Sequence, residues 1–164
     1  MIKSNYQDTL KEIELFNKLA GNHSLPRTLN DPAVLMSRNL VREEYNELED
    51  AFNANDEVEV LDACADIIVV VVGVMLSLGH DPASLMQEVN SSNLSKFCKD
   101  EQEAQLTVDS YKDDVRYQNV HYSEVNGKYV IKGSVEGVRG LKILKGVNYR
   151  PADFKQFVNQ FVGG

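Results

Sequence analysis

Residues 42–78, REEYNELEDAFNANDEVEVLDACADIIVVVVGVMLSL, contain two helix-length segments separated by the four residues NAND (53–56). In the first, Val41, Tyr45, Leu48 and Phe52 step by four, three and four, which lays one apolar stripe along a helix over 33–53. The second runs from about Glu57 to Leu78, with Gly79 as its C-terminal stop. So short a turn between two long helices makes them antiparallel neighbours, as in a bundle.

Toward the N-terminus, Tyr6, Leu10, Ile13, Phe16 and Ala20 repeat with helical spacing over 5–20, and Leu15 and Leu19 widen that stripe. GNHSLPRTLNDP (21–32) gathers breakers and turn formers and reads as a loop. Toward the C-terminus, Asp81 and Pro82 open a fourth helix that runs to about Phe97. EQEAQLTVDSYKDD (101–114) is again helical in pattern, and Asn126-Gly127 joins two alternating segments into a hairpin. The glycine-punctuated basic stretch GVRGLKILKGVNYRP (137–151) follows, and a short helix closes the chain. The expected fold is mainly α in a single domain. An antiparallel four-helix-bundle-type core spans about 5–98, and a helix, a small β-hairpin appendage and a tail span 100–164.

Composition narrows the function. The 164 residues carry a formal charge of −8, and no basic patch is large enough for a nucleic-acid groove. Of two cysteines, Cys64 sits in an apolar helical run as a small core residue, and neither has metal-site spacing. That argues against structural zinc and a disulfide framework and suits a reducing cytosol. MIKSNYQDTL shows no apolar leader core. The longest apolar run, residues 67–79, has thirteen residues against the roughly 18 of a membrane span, and it reads as a buried helix rather than a membrane partner. ADIIVVVVGVML has more apolar surface than one small bundle can cover, which predicts a homodimer or homotetramer.

The carboxylates carry the chemistry. Glu44 and Glu47 share one face of the second helix at i and i+3; Glu59 and Asp62 repeat the relation on the third, and Asp66 lies one turn on. Folded across NAND, the two pairs meet at one seam, where they repel unless a cation sits between them. An all-oxygen donor set without His or Cys suits Mg²⁺ or Mn²⁺. His23, His80 and His121 fall in loops or strands. Glu43, Glu49 and Asp50 read as solvated face. Glu59 has a second reading, as the N3 residue of a capping box begun by Asp56.

At these residues the chain resembles the all-α nucleotide pyrophosphohydrolases of the MazG-like superfamily. Their EExxE and ExxD pattern appears as Glu43-Glu44-Tyr45-Asn46-Glu47 and Glu59-Val60-Leu61-Asp62. EVLDACADIIVVVVG (59–73), EVNSSNLSKF (88–97) and LKILKGVNYRPADF (141–154) look like the phosphoribosyl-ATP-pyrophosphohydrolase-like branch, which includes phage and bacterial dNTP-hydrolysing members. The resemblance implies hydrolysis of a nucleoside triphosphate, such as dUTP or dGTP, to monophosphate and pyrophosphate. It implies Mg²⁺ on Glu44, Glu47, Glu59 and Asp62, extended by Asp66, with Glu47 and Glu44 catalytic and Glu47 taking the proton from water. Asn93 and Lys96 would contact sugar or base and phosphate, Lys145 a phosphate, and Tyr149 would close the pocket. Phosphoribosyl-ATP hydrolysis and a non-catalytic nucleotide- or metal-binding regulatory bundle are the competing readings.

Overall fold

The computed structural model describes residues 6–22 and 27–158. Among them the fold is mainly helical: α1 (Tyr6–Leu19), α2 (Pro32–Ala54), α3 (Glu57–Ser77), α4 (Pro82–Leu94), α5 (Glu101–Ser110) and α6 (Lys155–Val158). A small antiparallel sheet of β1 (Gln118–Val125), β2 (Lys128–Ser134) and β3 (Leu141–Ile143) lies toward the C-terminus, in the order β1-β2-β3. The chain forms two compact units, Met1–Leu85 and Met86–Gly164, and the division falls inside α4.

In the first unit the NAND turn is built from two caps. Asn55 takes the left-handed conformation (φ 56°) that ends α2, and its amide donates to the Phe52 carbonyl at 3.1 Å. The next residue, Asp56, is extended, and its carboxylate accepts the amides of Val58 (3.0 Å) and Glu59 (3.3 Å) to start α3. With no longer connection available, α2 packs back against α3, which also carries α1.

The face of α2 that is withdrawn from solvent is one position away from the expected stripe. Val34, Ser37 and Ala51 are buried and Val41, Glu44 and Leu48 half-buried, a series stepping by three and four. Tyr45 and Phe52, expected in the core, are 53% and 64% exposed. Two adjacent faces of this helix both carry apolar residues, so hydrophobicity alone does not choose between them. The consequence matters for the site, because the face that is chosen contains Glu44.

Helix α3 also departs from expectation. It buries Ala63, Val72, Gly73 and Ser77, but only 22% of its most apolar 18-residue window is covered within the chain. Cys64 is exposed rather than a core residue, and Val58, Leu61 and Ile68 are exposed too. By length and composition alone, α3 is the one helix among the described residues apolar enough to cross a membrane.

Helix α1 meets α3 through a polar contact. Asn17 is buried while Leu15, Phe16 and Leu19 of the expected stripe are exposed; the side chain of Tyr6 lies outside the described residues. A Cβ on Gly73 would stand 2.6 Å from Asn17 Oδ1, so glycine makes this approach possible. Asn17 donates to the Ile13 carbonyl (3.0 Å) and accepts from the Asn22 side chain (3.2 Å), and the Ser77 hydroxyl donates to the Asn22 carbonyl (3.1 Å). Residues 23–26 of the expected loop, His23 included, lie outside the described residues.

Asp81 caps α4 as expected, accepting the amides of Ala83 and Ser84. The helix stops at Leu94 rather than Phe97. The Phe97 amide turns back to the Leu94 carbonyl (3.2 Å), and Cys98 leaves the helix to pair with Tyr129 in both directions (2.9 and 3.0 Å).

In the second unit α5 ends at Ser110, short of the expected 114. The hairpin turns through Asn126 (φ 52°) and Gly127 (φ 71°), the left-handed pair that an Asn-Gly turn needs. The sheet is larger than a hairpin: Leu141–Ile143, from the basic stretch, adds a third strand to β2. Cys98, Ala104, Ile131 and Leu144 form the buried centre, ringed by Val108, Tyr111, Tyr117, Val120, Tyr122 and Tyr129.

Candidate active site

Charge is divided unevenly between the units. Residues 1–85 hold 15 Asp and Glu against 6 Lys and Arg, net −9, whereas residues 86–164 hold 10 against 11, net +1. Acidic groups able to hold a cation are thus concentrated on the helical unit, and lysines without nearby carboxylates on the other.

Glu44 and Glu47 lie on α2; Glu59, Asp62 and Asp66 lie on α3. Glu44 is half-buried, and its carboxyl is held above the ordinary carboxylate range. Loss of solvent is the first cause, followed by the charges of Glu47, Asp66, Glu43 and Asp62. Carboxylates from both helices therefore act on one group, which is the charge crowding a divalent cation relieves. Glu47 and Glu59 line one open cleft of about 320 Å³, with Asp50 and Asp56 beside them. As the side chains stand, no three of the described His, Cys, Asp or Glu groups converge closely enough to hold a metal ion.

The capping-box reading of Glu59 is not what the chain does. The Asp56 amide, which a reciprocal bond from the Glu59 carboxylate would use, donates instead to the Ala51 carbonyl at 3.0 Å. Asp56 caps α3 without it.

In the second unit four residues far apart in sequence share one neighbourhood. Lys96 Nζ donates to Asn93 Oδ1 at 2.8 Å, and the Lys96 carbonyl accepts the Gly146 amide at 3.0 Å. Lys145 Nζ stands 4.4 Å from the centre of the Tyr149 ring, and the Tyr149 hydroxyl lies 3.4 Å from the buried Ser92 hydroxyl. Among the described residues neither Lys96 nor Lys145 has a carboxylate within 4.0 Å.

Residues 22–93 match the family model for phosphoribosyl-ATP pyrophosphohydrolase. The match makes this segment, less than half of the 164 residues, similar to that family. No curated protein and no solved structure matches the chain. The matched segment takes in α2, α3 and nearly all of α4, so all five acidic residues and Asn93 lie inside it. Lys96, Lys145 and Tyr149 lie beyond it.

The chain also shows what sequence reasoning missed. Arg150, the arginine of the basic stretch 137–151 that follows Tyr149, has its guanidinium committed to Glu88 at 2.6 Å. Glu88, Ser92, Ser95 and Tyr111 hold the Lys145–Tyr149 segment in place. For Glu88, Ser92 and Ser95 the only sequence signal is polarity within EVNSSNLSKF, which is common on an exposed helix face, and Tyr111 lies outside that stretch.

Proposed function

We propose that the protein hydrolyses a nucleoside triphosphate to its monophosphate and pyrophosphate in a Mg²⁺-dependent reaction, with Mn²⁺ as a substitute. The substrate would be a deoxynucleotide such as dUTP or a purine such as dGTP, and the role control of a cytoplasmic nucleotide pool. The observation that carries this reading is the partly desolvated Glu44, pressed by carboxylates from α2 and α3 within the matched segment. The hard oxygen donors suit a hard divalent ion.

Glu44, Glu47, Glu59, Asp62 and Asp66 would hold Mg²⁺, which when bound offsets the repulsion between an acidic site and a polyanionic substrate and makes water more acidic. Glu47 takes the proton of the attacking water as general base. The α-phosphorus gains the water oxygen, its bond to the bridging oxygen breaks, and pyrophosphate leaves. Asn93 contacts the sugar or base, Lys96 and Lys145 offset phosphate charge, and Tyr149 closes over the nucleotide.

The fold that accompanies this reading is an antiparallel four-helix bundle. The exposed apolar residues of α2 and α3, Tyr45, Phe52, Val58, Leu61 and Ile68, are covered by a second copy in a homodimer or homotetramer. Phosphoribosyl-ATP is the second substrate reading, favoured by the description of the matching family.

The test is pyrophosphate release from a panel of dNTPs, NTPs and phosphoribosyl-ATP with and without Mg²⁺, repeated with Glu47→Gln. Loss of a general base lowers the rate by roughly 10²-fold or more. Equal rates in the two proteins would remove Glu47 from the mechanism, and release only from phosphoribosyl-ATP would select the second reading.

A further inference from the structure

The segment Leu144–Asp153 is fastened on both sides of the Lys145–Tyr149 pair. On the near side the Tyr111 hydroxyl donates to the Lys145 carbonyl (3.1 Å) and accepts from the Lys145 amide (3.2 Å). The next two amides donate to the Lys96 carbonyl (Gly146, 3.0 Å) and to the buried Thr107 hydroxyl (Val147, 3.1 Å). A Cβ at Gly146 would stand 3.0 Å from that Lys96 oxygen, so the two segments meet as closely as backbone allows.

On the far side the fastening centres on one ion pair. Arg150 Nη1 donates to Glu88 Oε1 at 2.6 Å, and Nη2 to Glu88 Oε2 (3.4 Å) and the Ser91 hydroxyl (2.9 Å). The same Glu88 Oε1 accepts the Asp153 amide at 2.8 Å, and the Arg150 amide donates to the Ser95 hydroxyl at 2.9 Å. The Glu88 side chain keeps 13% of its surface and the Arg150 side chain 47%, so the two-point pair is shielded on its carboxylate side. Both terminal nitrogens of the Arg150 guanidinium are thus engaged by Glu88 and Ser91.

We infer that Arg150 and Glu88 are positioning residues for the nucleotide, holding Tyr149 and Lys145 in register with Asn93 and Lys96 before substrate arrives. The inference rests on the pyrophosphohydrolase reading. Its physical content is preorganisation: a loose segment would have to be ordered during binding, which weakens affinity without altering the reacting groups. Releasing the clamp thus raises KM and leaves kcat nearly unchanged.

Two measurements on Arg150→Ala test this, with Glu88→Gln as the conservative variant that keeps an acceptor for the Asp153 amide. Arg150→Ala is expected to raise KM for the preferred nucleotide roughly tenfold with kcat within about threefold, and Glu88→Gln to do less. Hydrogen exchange at the Arg150 and Asp153 amides should speed up while the Leu144 amide, bonded to Ile131, keeps its protection. Wild-type KM in both variants overturns the inference, as does loss of Leu144 protection in both, which would make the pair merely structural. If the wild type hydrolyses no nucleotide, the pyrophosphohydrolase reading fails. The clamp is then judged by calorimetry with a non-hydrolysable dNTP analogue: a roughly tenfold weaker Kd in Arg150→Ala supports it, and unchanged or absent binding overturns it.

Discussion

The two units solve the burial problem in opposite ways. The second closes a centre of its own, with Ile131 and Leu144 hidden and six partly buried tyrosines and valines packed around them. The first hides mainly small or polar side chains, Ala51, Ala63, Asn17, Ser37 and Ser77 among them, and leaves Phe52, Leu61 and Ile68 in solvent. A unit that buries its seam and exposes its largest apolar groups presents the kind of surface on which the proposed self-association rests. The first unit also carries all of the excess negative charge. Exposed apolar surface and negative charge thus concentrate on one unit, and a closed apolar centre and a near-neutral balance on the other.

That contrast can be broken at its strongest point by Leu61→Lys with Ile68→Lys. Light scattering is expected to show an oligomer for the wild type and a monomer for the double variant. A wild-type monomer would leave the exposed face unexplained by self-association. Next in size, Gly73→Ala drives a methyl into Asn17 and should cost about 1–3 kcal/mol in chemical denaturation of the first unit. No loss of stability would mean that α1 shifts freely on α3.

Acidification probes the second unit instead. The Arg150 guanidinium and the Asp153 amide hold the Glu88 carboxyl below its ordinary value. A lowered carboxyl stabilises the fold above its unfolded pKa, about 4.3, and that contribution fades as pH falls through the folded value. Thermal melts from pH 6 to 3 should show a decline that Glu88→Gln flattens; parallel curves would remove Glu88 as its source. The smallest effect is expected at Glu44. Its carboxyl is raised, so its ionised form works against folding at neutral pH. Glu44→Gln should lift the metal-free melting midpoint by about 1–3 °C and shrink the upward shift caused by Mg²⁺. A lower metal-free midpoint would show that Glu44 supports packing instead.

Much of this was legible in the residues. The two long helices, the NAND turn, the caps at Asp56 and Asp81, and the Asn-Gly hairpin all follow from local rules, because a cap or turn is decided by side chains within a few positions of it. The EExxE and ExxD elements were legible for the same reason, as i, i+3 pairs on helices. The choice of face on α2 was not. Val41-Tyr45-Leu48-Phe52 and Val34-Ser37-Val41-Glu44-Leu48-Ala51 are both helical stripes, and only packing against α3 selects the second.

By itself, then, the sequence determined the helices, their short antiparallel link, the hairpin and the residue types available for chemistry. Each of these depends on interactions between positions close in the chain. Tertiary structure alone decided that Glu44 is half-buried among other carboxylates, that Cys64 and Phe52 face out, that β3 joins the sheet, and that Arg150 pairs with Glu88. Those outcomes join residues up to 62 positions apart, and no local pattern encodes which distant partner a charged or apolar side chain will meet.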